Sequence, residues 1–550
     1  MARLIKIVLP LIGKFRFFSL IVLGLVTGLG NFFFISNLTK IIGLITTGTY
    51  KSVSNKYIVL FLTIIFFIVL TRKLLAQAII TISQTIFWGL RKQIISIVLT
   101  ADYRDLVNKR NKIQATLMGD VYVLTDAAMS IIGFSTAGII AISCSVYLAS
   151  LSMTLFLVTV FFALIGVSIY WLNSVRYNRL FEKARVEENK FVHGLFDILE
   201  GFKEIFMEPK KGRHIFEKRI ESVAKESYKH ATAAQIGFLN NQITGQILFY
   251  LLVTTILLIL SVKVKIQIGD MVSFIFSLFY LLGSIETIMV MLPNLMRATV
   301  SANHLMDLKS DLEKSGFKNQ APQKYIGKDD FRQITVSDLE FRYGEEQNDF
   351  GIGPMDFEIL RGEVVFIYGE NGSGKTTFIQ AILGLLIPTG GSIRLNNVVV
   401  SEKRYNEYRT LFAVVFSDFF LFSEVLGVDN LNMEKWDYYI DLFELKGKVS
   451  LENKILSTTN LSTGQRKRLA LICALMEEKP VIVLDEWAAD QDPYFRKKFY
   501  SEIISILKAE GFTIIAITHD DKYYHYADKH YRMNFGKLIR HSEPLFSQIN

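Results

Sequence analysis

The sequence predicts a helical membrane domain, with six transmembrane helices that extend into the cytoplasm, fused to a soluble α/β domain. Three observations predict it. Hydrophobic residues make up 51% of the 550 and charged residues only 21%, with mean hydropathy +0.31 and 43 Phe. Nearly all the long apolar runs fall in residues 1–308. The stretch 330–550 instead reads as short buried strands alternating with helices. So much apolar side chain excludes a disordered chain, and 9 Pro exclude a collagen-like or proline-rich polymer. The two cysteines, Cys144 and Cys473, make no disulfide framework and no metal-ligand spacing.

A helix needs ~20 apolar residues to cross a ~30 Å hydrocarbon core. Six segments qualify: about 17–46, 56–86, 128–150, 152–174, 236–262 and 268–294. The first two are too long to end at the membrane surface, so they continue as helices. Arg3 and Lys6 precede an apolar run that simply becomes the first span, without a small-residue cleavage site, so no secretory signal peptide is expected. Residues 1–14 read as an amphipathic segment on the membrane surface.

The positive charges set the orientation. Loops on one side carry 23 Lys and Arg, and those on the other carry four: Lys51, Lys56, Lys263 and Lys265. Both termini, and the long loops at 90–126 and 176–232, are therefore expected in the cytoplasm. The net charge of +9 flanks apolar segments rather than forming a nucleic-acid face. The long loops read as helical extensions with turns near Ala101–Asn111 and Gly201–Arg213. At 1.5 Å per residue, ~20 extra residues carry such a turn ~30 Å below the bilayer, where it can touch the soluble domain. A polar, turn-rich linker is expected at 309–329, and a separate α/β domain at 330–550.

Residues 369–376 read Gly-Glu-Asn-Gly-Ser-Gly-Lys-Thr, a P-loop pattern. Its context fits: Val364–Tyr368 is a buried-strand run before it, and Thr377-Phe-Ile-Gln-Ala-Ile-Leu reads as a helix after it. A glycine-rich loop opening a helix points backbone N–H groups at phosphate. Gly369, Asn371, Gly372, Ser373, Gly374, Lys375, Thr376 and Thr377 are the candidate ATP-binding set. Lys375 is placed to reach the β/γ oxygens and Thr376 to offer a hydroxyl to Mg²⁺. The strand Val481–Asp485 then delivers Asp485 and Glu486 to a carboxyl edge, where open α/β sheets bind ligands. Asp485 fits the metal side, and Glu486 fits a base that activates or orients water. A further phosphate cradle opens the helix after Leu461, from Ser462 with Gly464 and Gln465.

Between a P-loop and an Asp-Glu pair, Leu461-Ser-Thr-Gly-Gln465 resembles the signature motif of ATP-binding-cassette (ABC) ATPases. The resemblance implies further roles. Tyr343 matches the aromatic that stacks on adenine, Ala489–Asp492 occupies the D-loop position, and His519 matches the switch histidine at the γ-phosphate. One position departs: Ser417 stands where these ATPases carry a glutamine that touches Mg²⁺ and the attacking water. Ser417 or Asp418 is expected to take over. The acidic stretch common before the signature in exporters is also missing; Leu451-Glu-Asn-Lys454 stands there, and its inter-domain contact is not expected.

Six spans followed by one cassette resemble an ABC exporter half-transporter along the whole chain. Phe416–Phe422, Asp485-Glu-Trp-Ala-Ala-Asp-Gln-Asp-Pro493 and Thr518-His-Asp-Asp521 are similar to the bacterial cyclic-peptide/siderophore exporters, a group that includes pyoverdine and syringomycin exporters. The resemblance implies ATP and Mg²⁺ as cofactors and a homodimer in a bacterial inner membrane. It implies a small peptide or siderophore cargo, lipid around the spans and no nucleic-acid partner. A multidrug exporter or lipid flippase would share the same ATPase, and a membrane-anchored regulator or channel is a competing class. Intramembrane polar groups often line substrate paths. Arg72 and Lys73 in the second span, Asn240, Asn241 and Gln242 in the fifth, and Glu286 in the sixth are the candidates. A cationic lining would suit an acidic cargo. Arg72 and Lys73 otherwise snorkel to the interface or pair with Glu286.

Overall fold

The computed structural model describes residues 13–46, 55–260, 268–313, 324–343 and 350–541, with the single positions 10, 263 and 322. Most of the surface segment expected at 1–14 lies outside the described residues, as do Lys51, Lys265, the end of the fifth expected span and much of the expected linker. The chain divides into two compact units, Met1–Ser96 with Asn111–Ser310, and Ile97–Arg110 with Asp311–Asn550.

The first unit contains, among the described residues, six helical segments long and apolar enough to cross a membrane. Their principal helices are α1 (Lys14–Thr46), α2 (Asn55–Thr100), α3 (Val121–Leu151), α4 (Met153–Glu200), α5 (Ser222–Thr255) and α6 (Ile268–Glu313). Hydroxyls within them bond back one turn, as Thr27 does to the Leu23 carbonyl (2.8 Å) and Ser277 to that of Ser273 (2.8 Å). A polar side chain in an apolar helix is thereby satisfied without water. Ser152 separates α3 from α4: its backbone is extended and its hydroxyl caps α4, accepting from the Leu155 N–H.

Two breaks fall in the long loops. The chain leaves helical geometry at Ala101–Asp102 and resumes at Tyr103–Ala115. At the other, α4 stops at Gly201 and two short helices follow, Phe202–Met207 and Pro209–Ile215, the second started by Pro209. At its far end α6 runs to Glu313, five residues into the stretch expected as linker. Leu305, Leu308 and Leu312 share one helical face there and are 7%, 2% and 3% exposed, so buried apolar contact carries the helix through polar sequence.

Small residues let helices approach. A β-carbon on Gly237 of α5 would stand 2.2 Å from the Tyr177 ring of α4. Nearby, Asn173 Nδ2 donates to Asn241 Oδ1 at 3.0 Å, closing a polar contact inside the same helix pair.

The second unit holds two main sheets and, apart from them, a two-stranded hairpin of Leu451–Glu452 with Ile455–Leu456. The larger is built from β3 (Val364–Gly369), β5 (Phe412–Val415), β6 (Val481–Asp485), β7 (Thr513–Ile517), β8 (Lys529–Asn534) and β9 (Lys537–His541). Their spatial order is β9-β8-β3-β7-β6-β5, parallel except for the β8–β9 hairpin. The smaller is antiparallel around β1 (Gln333–Arg342), flanked by β2 (Phe357–Leu360) and β4 (Gly390–Leu395). Strand β3 shows why the large sheet reads as continuous apolar sequence. Val364 and Phe366 face one core with Trp436, Leu469 and Trp487, while Val365 and Ile367 face another with Phe378 and Ile515. A parallel strand covered on both sides has no polar face to alternate.

Candidate functional site

Parallel pairing collects the chemistry at one edge. Neighbouring register aligns Ile367 with Ile517, Ile517 with Asp485, and Leu484 with Val415. The loops leaving β3, β7, β6 and β5 therefore emerge side by side. They carry Gly369–Thr377, His519, Asp485–Glu486 and Ser417, in that spatial order.

The loop after β3 depends on its glycines. A β-carbon on Gly369 would lie 2.3 Å from the Met533 carbonyl oxygen of β8, and Gly372 and Gly374 have φ of +77° and +107°. Helix α7 (Lys375–Ile382) starts immediately afterwards, with its first N–H groups at the loop. Lys375 is 5% exposed, and its ammonium donates to the Gly369 and Glu370 carbonyls, each at 2.9 Å. Burial lowers its pKa, and the nearby Glu486 and Asp485 charges oppose that shift. Asn371 and Thr376 are exposed at the loop, while Thr377 is buried.

Asp485 is 1% exposed. Its Oδ2 accepts from Ser417 Oγ at 3.1 Å; its Oδ1 is buried with no hydrogen-bond partner among the described residues. Burial raises its pKa above the usual carboxylate value, the Ser417 hydrogen bond pulls it back, and the Glu486 charge adds to the rise. An orphaned carboxylate oxygen beside a serine hydroxyl, with the Thr376 hydroxyl at the loop after β3, is an all-oxygen donor set of the hard kind that suits Mg²⁺. Among the described residues no group of three or more His, Cys, Asp or Glu side chains is placed to hold a metal by itself.

Glu486 follows in the left-handed region at φ +50°. Its Oε1 lies 3.2 Å from His519 Nε2. Arg496, Tyr500 and Asp520 join them around a cavity of about 190 Å³. Ser462 caps α8 (Thr463–Met476) and accepts from the Gln465 N–H at 3.4 Å. Gly464, the second residue of α8, has no room for a side chain: its β-carbon would meet the Asp490 carbonyl at 2.8 Å. Tyr343 is 41% exposed, and its hydroxyl is 3.3 Å from Thr377 Oγ1. Arg104, in the Ile97–Arg110 segment of the same unit, donates to the Tyr343 carbonyl.

The intramembrane candidates scatter. Arg72 and Lys73 are exposed on α2. Asn240 is exposed, Asn241 is buried against Asn173, and Gln242 borders a cavity of about 340 Å³ between α4, α5 and α6. Glu286 borders the same cavity, where its Oε1 accepts from Gln246 Nε2 at 2.7 Å. Sequence reading missed Gln246; its position one turn after Gln242 on α5 was the available signal. It also assigned no role to Lys467 or Arg496, which the structure places around Glu486.

Known proteins share these features. A family model described as ABC transporter matches residues 352–489. ATP-binding protein SyrD of Pseudomonas syringae pv. syringae is 30% identical over 441 residues, which span 78% of this chain and 76% of SyrD. Energy-coupling factor transporter ATP-binding protein EcfA1 of Streptococcus pneumoniae serotype 2 (strain D39 / NCTC 7466) is 30% identical over 226 residues, covering 39% of this chain and 82% of EcfA1. The solved structure of a bacterial Atm1-family ABC exporter with ATP bound aligns over 95% of this chain and 93% of its own, with TM-score 0.76 and 17% identity, and so shares the fold. Six membrane-length helices, a P-loop cassette and a relative of this extent together identify the chain as a member of the ABC transporter family, a half-transporter of the exporter type that couples ATP hydrolysis to transport.

Proposed function

We propose that two copies of this chain form a C2 dimer that exports a peptide or peptide-derived, siderophore-like compound from a bacterial cytoplasm. Each ATP is held between the P-loop of one copy and the Ser462 turn of the other. A signature turn on the same chain as a single P-loop is useful only opposite a second copy. The convergence of Lys375, Asp485, Glu486 and His519 on adjacent strand ends carries the ATPase reading. The cargo class rests on the similarity to SyrD and on the Trp487–Pro493 run. The charge asymmetry of the loops supports cytoplasmic termini and an inner-membrane location.

In this reading the backbone N–H groups of Gly372–Thr376 and the Lys375 ammonium bind the β- and γ-phosphates. Phosphate oxygens replace the Gly369 and Glu370 carbonyls as acceptors for Lys375. Tyr343 packs on adenine. Thr376, Asp485 and Ser417 would hold Mg²⁺, which supplies charge neutralisation at the β/γ oxygens. Glu486 orients the attacking water and takes its proton, while His519 holds the Glu486 carboxylate and faces the γ-phosphate. Ser462, with the N–H groups of Gly464 and Gln465, closes over the γ-phosphate of the partner's nucleotide. ATP favours the closed dimer over the open one, and that difference drives the helices. The turn around Ala101–Asn111 carries the motion, as does the one at Gly201–Arg213.

The decisive experiment is Glu486→Gln. ATP binding should persist, hydrolysis should fall about 100-fold or more, and a closed dimer should accumulate. Hydrolysis at the normal rate would remove Glu486 from this role. The largely apolar lining of the α4–α6 cavity, with Phe162 and Phe249 opposite Leu281 and Leu292, favours a second cargo reading, a lipid or hydrophobic drug. Cargo-stimulated ATPase assays with peptides, siderophores and lipids separate the two.

A further inference from the structure

Glu486 occupies a backbone conformation, φ +50° and ψ 36°, that a residue with a side chain keeps only when its surroundings enforce it. Three contacts grip its peptide groups, one of them the Ala489 N–H, which donates to the Glu486 carbonyl at 3.3 Å. The Glu486 N–H donates to the Ile517 carbonyl at 3.2 Å, tying it to β7. The Glu486 carbonyl accepts from Lys467 Nζ at 3.0 Å. Lys467 belongs to α8, and its side chain is 3% exposed. Its ammonium also pairs with Asp490 Oδ2 at 2.7 Å, so the buried charge is matched. The surrounding chain is stitched to the same helix turn. Trp487 Nε1 donates to the Lys467 carbonyl at 2.9 Å, and Gln491 Nε2 donates to the Gly464 carbonyl at 3.1 Å. The lysine brings a charged group onto the backbone of the residue that orients water.

We propose that Lys467 is a positioning residue for ATP hydrolysis: through the Glu486 carbonyl and Asp490, it fixes the direction of the Glu486 carboxylate to the helix that Ser462 opens. This rests on the reading of Glu486 as the water-orienting base. It has a consequence for the dimer. Ser462 closes over the partner's nucleotide, whereas Glu486 serves its own. A rigid tie between them makes the aim of the base at one site depend on closure of the signature turn at the other.

The test uses the full-length transporter in lipid nanodiscs, with ATPase kinetics and equilibrium ATP binding for Lys467→Met, Lys467→Arg, Asp490→Asn and Lys467→Met/Asp490→Asn. Lys467→Met should lower kcat about 10- to 100-fold while KM for ATP stays within about twofold, because the nucleotide's own contacts are untouched. Lys467→Arg should recover most of the loss. Asp490→Asn should lower kcat less, and the double variant should be no worse than Lys467→Met. A normal kcat in Lys467→Met, or a Lys467→Arg variant as slow as Lys467→Met, overturns the proposal. If Lys467→Met does not fold, Asp490→Asn decides: a reduced kcat at unchanged KM supports it and a normal kcat overturns it. Glu486→Gln separates the two levels. If it hydrolyses normally, the reading of Glu486 falls and takes this proposal with it. If it is inactive while Lys467→Met turns over normally, only the role of Lys467 falls.

Discussion

Ser417 Oγ donates to Asp485 Oδ2 at 3.1 Å, so the loop leaving β5 is bonded to the last residue of β6. Ser417 stands where a glutamine was expected, and its hydroxyl is too short to do a glutamine's work alone. By bonding the carboxylate it instead orients the group assigned to Mg²⁺ in the proposed mechanism. Ser417→Ala should raise the Mg²⁺ concentration needed for half-maximal ATPase activity about tenfold, the order seen when partners of metal-binding groups are removed. Asp418→Asn is the companion variant. Unchanged Mg²⁺ titrations in both would mean that neither residue replaces the glutamine.

Burial raises the Asp485 pKa. A carboxyl whose folded pKa exceeds its unfolded value stabilises the fold fully at low pH and loses that contribution as pH climbs through the folded pKa. Without nucleotide and Mg²⁺, Asp485→Asn should therefore melt higher than the parent at pH 7 to 8. The gap should close as pH falls toward the ordinary carboxylate range. With Mg²⁺ and ATP the order should invert, since only the parent carboxylate gains a cation. Thermal melts at pH 5 and 8, with and without MgATP, check both halves.

The P-loop glycines are unequal. Gly372 has φ +77° but open space around it, so Gly372→Ala should cost about 1 kcal/mol and leave ATP binding within a few-fold. Gly369→Ala would drive a methyl into the Met533 carbonyl at 2.3 Å, and β8 would have to shift. ATP affinity should fall about tenfold or more through the displaced loop. Equal behaviour of the two variants in nucleotide titrations would contradict this ranking.

Glu286 and Gln246 are hydrogen-bonded in the α4–α6 cavity that Gln242 also borders, whereas Arg72 and Lys73 lie exposed on α2. If cargo enters that cavity, Glu286→Gln should reduce cargo-stimulated ATPase activity about threefold or more, as expected on losing one charge-assisted hydrogen bond. The basal rate should persist. Arg72→Ala/Lys73→Ala should stimulate normally. Stimulation lost only in the α2 double variant would move the cargo path to the cationic face.

The P-loop was legible because its chemistry is local. Three glycines within six positions answer conformational demands that the sequence states in one line, and the strand before them is uniformly apolar because both its faces are covered. Asp485 was legible for the same reason, as a polar residue ending an apolar run, whereas His519 was picked out only by the resemblance. The helix through Leu308 and Leu312 was not, because its polar composition favours a linker and only tertiary burial reverses that preference. Pairings across elements were hidden as well. Gln246 meets Glu286 from another helix, and Lys467 meets Asp490 from beyond a strand. Neither partner carries a local mark of the other, since helix register and strand crossover decide both meetings.

The Lys467–Asp490 pair is lopsided: the lysine side chain is 3% exposed and the aspartate 46%. Mutating the lysine first leaves a carboxylate that water can still reach. Replacing the aspartate first with an apolar residue strands an ammonium in the interior with only carbonyl oxygen to face, a far costlier intermediate. Descent with modification should thus run in one direction here. Among homologous chains that lack the matched pair, those with a neutral residue at 467 and an acid at 490 should outnumber those with lysine at 467 and an apolar residue at 490.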